Sequence, residues 1–202
     1  MKRLGISVEG ATEREFVSRV LRKHLQPFGI QATGVDLGGG VSLDKIRGVL
    51  PALLGSFDHV STLYDFYGFK GRNGRGVVEL EDAIQELVGT DIRHRLTSYL
   101  QQYEFETLLF AVPEQTNEWL NGPPASLEEL KRAVSLAGSA ERVNDSVQTS
   151  PSHRLKVIFP RYDKKLHGPE IVEIAGLNRI RAECPRFDGW VAQLERLGDR
   201  MY

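Results

Sequence analysis

The sequence predicts an α/β fold: a mostly parallel central sheet flanked by helices, with a helical C-terminal half packed on it. Two observations carry this. Over residues 1–112, short apolar runs alternate with segments of helical period, and that order implies crossover connections and parallel strands. Over 113–202 the strand signal fades and loops and helical periodicity take over. A chain of 202 residues can bury a real core as one large domain, so 113–202 is expected to belong to the same structural domain as the 1–112 core.

Each element has its own signal. "RLGISV" (3–8) reads as a strand ending at Glu9-Gly10. Phe16, Val17, Val20, Leu21 and Leu25 recur at helical spacing until Pro27 and Gly29. "TERE" (12–15) fits a capping box with Thr12 as N-cap and Glu15 closing it. "GIQATGVDL" (29–37) is a second strand, closed by Gly38-Gly39-Gly40, where a plain turn is expected. Ser42 suits the cap of a helix with Ile46, Val49, Leu50, Leu53 and Leu54 on one face, although Pro51 argues against its second half. "HVSTLY" (59–64) is a third strand ending in Asp65, followed by a glycine-rich loop (66–76) and a helix (77–88). "RHRLTSYLQQ" (93–102) reads as a fourth strand and "EFETLLFA" (104–111) as the start of a helix. Stretches 112–125 and 138–154 read as loops, with a helix between them that Ser126 and Glu129 would cap. After "RLKVIF" (154–159) the pattern is helical over 169–184 and 187–197, with Leu177, Ile180, Trp190 and Leu194 as apolar anchors.

Composition narrows the function classes. Hydrophobic residues make up 41%, charged residues 26%, and the formal net charge is −1, which argues against a general nucleic-acid coat protein but not against a local basic groove. The single cysteine, Cys184, excludes an intramolecular disulfide and makes a reducing, cytoplasmic setting the default expectation. The apolar run near the N-terminus stops at Glu9, too early for a signal-peptide core, and no stretch approaches the roughly 20 apolar residues of a membrane helix. No membrane partner is expected. The histidines and the cysteine offer no zinc spacing, and no Ser-His-Asp or Cys-His pairing stands out.

The chemistry lies in where the acids fall. Ligands of open parallel sheets bind at the carboxyl ends of the strands, and Glu9, Asp65, Glu104 and Glu106 all follow predicted strands. Parallel strands would bring them together across long sequence separations. Such hard oxygen ligands suit Mg²⁺ or Mn²⁺, ions that bind phosphate oxygens and activate water. Taken singly, each acid has a plainer reading: Glu13 favours a positive helix N-terminus, Glu9 is equally a solvated loop residue, and Glu104 and Glu106 face one site together only if the backbone turns helical there. The loop "GFKGRNGRG" (68–76) offers Lys70 and Arg72 to a phosphate backbone, against the alternative of a mobile solvated loop. Ser152, Arg154, Lys164 and His167, in "TSPSHR" and "YDKKLHG", form a second polar set for phosphate contact, although His167 alone is an ordinary surface histidine.

"VEGATE" (8–13), "LYDFYG" (63–68), "YEFETLLF" (103–110), "VND…TSPSHR" (143–154) and "YDKKLHG…IAGLNRIRAECPRFDGW" (162–190) together resemble domain-of-unknown-function family 4276, a group of bacterial Toprim-like proteins. The resemblance runs in order along nearly the whole chain. It implies a Toprim-like sheet, a divalent-metal nuclease activity, nucleic acid (DNA or RNA) as substrate, and a partner ATPase in a phage-defence setting; self-association is left open. It assigns Glu9 to the Toprim glutamate, Glu13 to the second acid of the first motif, Asp65 to the first acid of an Asp-x-Asp motif, and Glu104 or Glu106 to the later acid. Tyr67 stands where that motif has its second aspartate, which leaves one-metal chemistry or lost activity open. The alternative reading is a non-catalytic regulatory or scaffold subunit of an ATPase complex.

Overall fold

The computed structural model describes residues 1–144 and 149–198; the parts of the predicted 138–154 loop at 145–148 and of the C-terminal half at 199–202 lie outside the described residues. Strand β3 (His59–Asp65) is buried along its whole length, as expected of a strand covered on both faces. β1 (Lys2–Val8) pairs with it in parallel on one side, and β2 (Ile30–Asp36) continues the sheet beyond β1. On the other side of β3 lie two short strands, β4 (Leu96–Thr97) and β5 (Leu100–Gln101), again parallel.

Alternation of side chains across the strands divides the apolar residues between two layers. Leu4, Ile6, Val8 and Leu63 face a core that includes Phe16, Phe105, Ile171, Phe187, Trp190 and Leu194. Val60, Tyr64 and Leu100 face a second core containing Ile46, Leu50, Leu80 and Ile84. The C-terminal helices therefore share a core with the first strand.

The first layer holds α1, a continuous helix over 11–25 whose middle, Val17–Leu21, is wound as a π turn, and which ends at Gly29 with φ +71° after a short 3₁₀ turn. It also holds the C-terminal helices. The second layer holds α2 (Leu43–Ser56) and α3 (Val77–Gln85). The Ser42 hydroxyl caps α2 by accepting the Lys45 N–H at 3.3 Å. α2 runs through Pro51 without breaking: Pro51 is exposed, while Ile46, Leu50, Leu53 and Leu54 are buried on the opposite face. Burial of that face outweighs the one lost backbone bond.

Several expected boundaries are corrected. The cap of α1 is Gly10, not Thr12, and Glu13 rather than Glu15 reaches back, accepting the Gly10 N–H at 3.1 Å. Thr12 is buried and has no cap role. The fourth strand is broken at Ser98-Tyr99, because the Thr62 hydroxyl replaces the strand ladder there: it accepts the Tyr99 N–H at 2.8 Å and donates to the Tyr99 carbonyl at 2.9 Å. The helix expected from 104 is a single turn, α4 (Thr107–Phe110). The expected loop at 112–125 contains α5 (Pro113–Trp119), begun by a proline at its first position. α6 (Pro124–Ala137) starts at Pro123-Pro124, so Ser126 lies inside it, buried, and caps nothing. The remaining helices are α7 (Pro151–Ile158), α8 (Lys164–Ala175), α9 (Leu177–Glu183) and α10 (Pro185–Glu195), the first of which takes up most of the "RLKVIF" stretch. No helix among the described residues is long and apolar enough to cross a membrane.

Trp190 ties α10 to the sheet. Its ring stacks on Tyr99 at 4.7 Å and its indole N–H donates to Ser61 on β3 at 2.9 Å. Trp190→Ala is expected to cost about 3–5 kcal/mol, as for other buried aromatic truncations, and Trp190→Phe distinctly less; urea denaturation of the two variants measures both.

Candidate functional site

Strand parity sends Asp65 and Glu9 toward different faces of the sheet, at the same carboxyl edge. Ser61 and Leu63 face the C-terminal helices, so Asp65, two residues on, faces them as well. Gly5 and Ser7 face the other layer: a Cβ on Gly5 would strike the Phe57 ring, and Ser7 accepts the Tyr64 hydroxyl at 2.7 Å. Glu9 continues that parity just past β1, beside the loop that follows β3. Its carboxylate lies against Gly68, so closely that a Cβ there would come within 2.2 Å of Oε2. Beyond β5 the chain turns through Tyr103, at φ +66°, into a tight helical turn in which the Thr107 N–H donates to the Glu104 carbonyl. That turn lets Glu104 and Glu106 both reach the cluster. Glu13 joins from the first turn of α1.

Burial differs sharply among the five. Glu106 is 1% exposed, Glu13 4% and Asp65 6%, while Glu9 and Glu104 are half-buried. Buried carboxylate oxygens are normally paired. Here Glu9 Oε2, Asp65 Oδ1 and Glu106 Oε2 are buried without a hydrogen-bond partner, as is Nε2 of Gln101, the residue paired with Asp65 in the β3–β5 register. Glu9, Glu104 and Lys164 keep part of their surface in solvent, whereas Glu13, Asp65 and Glu106 are buried.

The charges respond accordingly. Burial holds the Asp65 carboxyl well above the usual carboxylate range, and Glu13, Glu106 and Glu9 push it further. Burial raises Glu106 to about 7, with Lys164 opposing and Glu104 adding to the rise. Glu9 and Glu13 are raised by burial too. Lys164 keeps much of its side chain in solvent. Desolvation of its ammonium end works against the charge, but Glu106, Asp65, Glu13 and Glu104 outweigh it and keep Lys164 cationic. Tyr162, its phenol raised by burial and by Glu106, stays neutral and donates to Glu106 Oε1 at 3.5 Å.

The remaining expected residues divide into those near the acids and those turned elsewhere. Lys70 is exposed and close enough to Glu9 to lower its pKa. Arg72 lies 4.6 Å over the Phe66 ring on the same loop. Ser152 contributes its backbone rather than its hydroxyl: its N–H, at the start of α7, donates to Glu104 Oε2 at 2.9 Å. Glu104 is thus both a member of the cluster and a cap on α7. The Arg154 Nε donates to the Thr149 carbonyl at 2.9 Å, and its side chain lines a groove with Leu136 and Val157. Tyr67, in the place of a second aspartate, meets Asn144 through its hydroxyl and Tyr103 ring to ring at 5.4 Å. Sequence reasoning missed Gln101, Tyr162 and Gly68 as parts of the site. Tyr162 lay within a motif already singled out; Gln101 carried only its position at a strand end.

The donor chemistry fits a hard divalent cation: the acids offer oxygens only, and three of these are buried and unpartnered among the described residues. The side chains still have to converge, because among the described residues no three of His, Cys, Asp and Glu stand together in metal-holding geometry.

Residues 8–195 match the family described as Domain of unknown function (DUF4276). No curated protein and no solved structure matches the chain.

A carboxyl whose folded pKa is raised stabilises the fold while protonated, and that stability is lost as pH rises from the unfolded value through the folded one. In chelated buffer the melting temperature is therefore expected to fall between about pH 4.5 and 7, the window set by Glu106. Glu106→Gln keeps a neutral group in place and should melt like wild type at pH 4.5 but above it at pH 8, by on the order of 3 kcal/mol. Thermal melts of both proteins across that range provide the measurement.

Proposed function

The chain belongs to the DUF4276 family, and because that description states no activity, we propose a function from the acidic pocket itself: a divalent-metal-dependent phosphodiesterase of Toprim-like type, acting on nucleic acid. The observation that supports this reading is a set of acids at the carboxyl edge of a parallel sheet, Glu9, Glu13, Asp65, Glu104 and Glu106, whose charges act on one another, with unpartnered oxygens on Glu9, Asp65 and Glu106 among the described residues.

Glu9, Asp65 and Glu106 would hold the ion, with Glu13 and Glu104 beside them. A bound Mg²⁺ or Mn²⁺ supplies charge for phosphate oxygens and lowers the pKa of a bound water. Gly68 keeps the space over the Glu9 carboxylate clear. Tyr162 holds Glu106 by a neutral hydrogen bond and so orients it without competing for its charge. Lys164 balances the acids when no cation is bound and faces the rim where a substrate phosphate would arrive. Lys70 and Arg72 extend positive charge along the 66–76 loop, on the Glu9 side. A partner ATPase, in a phage-defence setting, belongs to this reading as a partner to be tested.

Two observations favour a second reading, a regulatory or scaffold subunit that does not cleave. Tyr67 meets Asn144 instead of supplying a second aspartate, and the described acids do not stand in metal-holding geometry.

Melting with and without metal separates the two. Millimolar Mn²⁺ or Mg²⁺ is expected to raise the midpoint of the wild type, because a ligand bound only to the native state stabilises it. Asp65→Asn should lose most of that rise, together with cleavage of plasmid, single-stranded DNA or RNA. Gly68→Ala tests the site without removing an acid: its Cβ displaces the flexible Glu9 carboxylate, so the fold should survive while the metal response and cleavage fall at least ten-fold. A wild type that shows no metal response and cuts none of these substrates would leave the scaffold reading.

A further inference from the structure

Beside the acidic pocket runs a groove of about 470 Å³ between the turn after α5 and the chain leading into α8, within the size range of small-ligand sites. Trp119 stands on its wall and is 42% exposed, unusual for the most costly side chain to leave in water. Tyr162, His167 and Arg161 line the same groove, with the Tyr162 and His167 rings 6.0 Å apart. The turn carrying Trp119 into the groove is firmly built: Asn121 is left-handed at φ +53°, and the Asn117 amide donates to the Gly122 carbonyl at 3.0 Å. A Cβ on Gly122 would strike both Asn117 and Phe159, so the turn packs directly against the opposite wall.

We propose that this groove takes one unpaired base of a single-stranded nucleic acid whose backbone leads into the acidic pocket. The choice of ligand rests on the phosphodiesterase reading. The continuity is short: the Tyr162 ring lines the groove while its hydroxyl donates to Glu106. An exposed indole gives a base face a stacking platform that tolerates any sequence. His167 accepts the Asp163 N–H on Nδ1 at 3.0 Å, so in the neutral ring Nε2 carries the hydrogen, a donor for a base edge. Arg161 is exposed and has no carboxylate within 4.0 Å among the described residues, which suits a backbone phosphate. Glu118 and Glu170 line a neighbouring pocket, Glu170 paired with Arg19 at 3.5 Å, and neither lines this groove. A base held inside a duplex cannot reach such a wall.

The test uses the whole chain in chelator, so that nothing is cut. A mixed-sequence single-stranded 12-mer, as DNA and as RNA, is expected to quench the exposed Trp119, the other tryptophan, Trp190, being buried. The blunt duplex of the same sequence should quench far less. Trp119→Ala should bind the labelled single strand about ten-fold more weakly, and Trp119→Phe close to wild type, as loss and retention of one stacked base require. Both variants should keep the wild-type response of the melting temperature to Mn²⁺, whatever that response is. Absence of quenching, equal binding of the duplex, or unchanged affinity in Trp119→Ala overturns the proposal. A wild type without any Mn²⁺ response, but with Trp119-dependent binding of single strands, would remove the phosphodiesterase reading and leave the groove's ligand in place.

Discussion

A carboxylate taken out of water must find compensating charge, accept hydrogen bonds or give up its own charge. At the carboxyl edge of this sheet Asp65 meets neither of the first two conditions in full: Oδ1 is buried without a partner among the described residues, and the charges of Glu13, Glu106 and Glu9 act against its own while Lys164 only partly offsets them. Much of the surrounding architecture is arranged about that group. The left-handed turn at Tyr103 brings Glu104 and Glu106 in, α8 begins with Lys164 facing them, and Tyr162 supplies a neutral hydroxyl where a second cation would neutralise the pocket.

The two faces of the sheet contribute differently. The face toward the C-terminal helices delivers Asp65, Glu13 and Glu106 into a closed interior, whereas Glu9 arrives beside the glycine-rich loop and Lys70. Glu9 thus connects the buried cluster to solvent on the side of the glycine-rich loop, as Glu104 does beside α7. Gly68 has a physical reason at that junction, since any larger residue would occupy the place of the Glu9 carboxylate.

The first three strands and their parallel direction were legible because they follow from short-range rules: apolar runs ending in Glu9 and Asp65 are visible as such, and parallel pairing then sets those ends at one edge. What was not legible depended on contacts between distant residues. Thr62 breaks the fourth strand through a side chain 37 positions away from Tyr99, and no periodicity within 93–102 carries that information. Glu13 rather than Glu15 closes the cap of α1 because the helix begins two residues earlier than expected, at a glycine that offers no cap oxygen of its own. α5 escaped because Pro113–Trp119 is mostly polar, and it is held by docking, Thr116 donating to the Leu109 carbonyl at 2.8 Å, rather than by an apolar stripe. Tyr162 could be seen as part of a motif, but its partner Glu106 lies 56 positions away and only the fold joins them.

On the phosphodiesterase reading, Lys164 and Glu104 are the two groups that binding would move. Glu104 divides its attention between the cluster and the Ser152 N–H, so a cation that draws it inward would loosen the first turn of α7, and a phosphate at the rim would draw Lys164 away from the acids it now balances. Either shift alone is unfavourable, since the first exposes a helix end and the second strips the acids of their nearest positive charge. Together they compensate, because an arriving cation replaces the charge that Lys164 withdraws. On the phosphodiesterase reading, cation and phosphate would therefore bind more favourably as a pair than singly, a coupling that would follow from charge balance at one sheet edge.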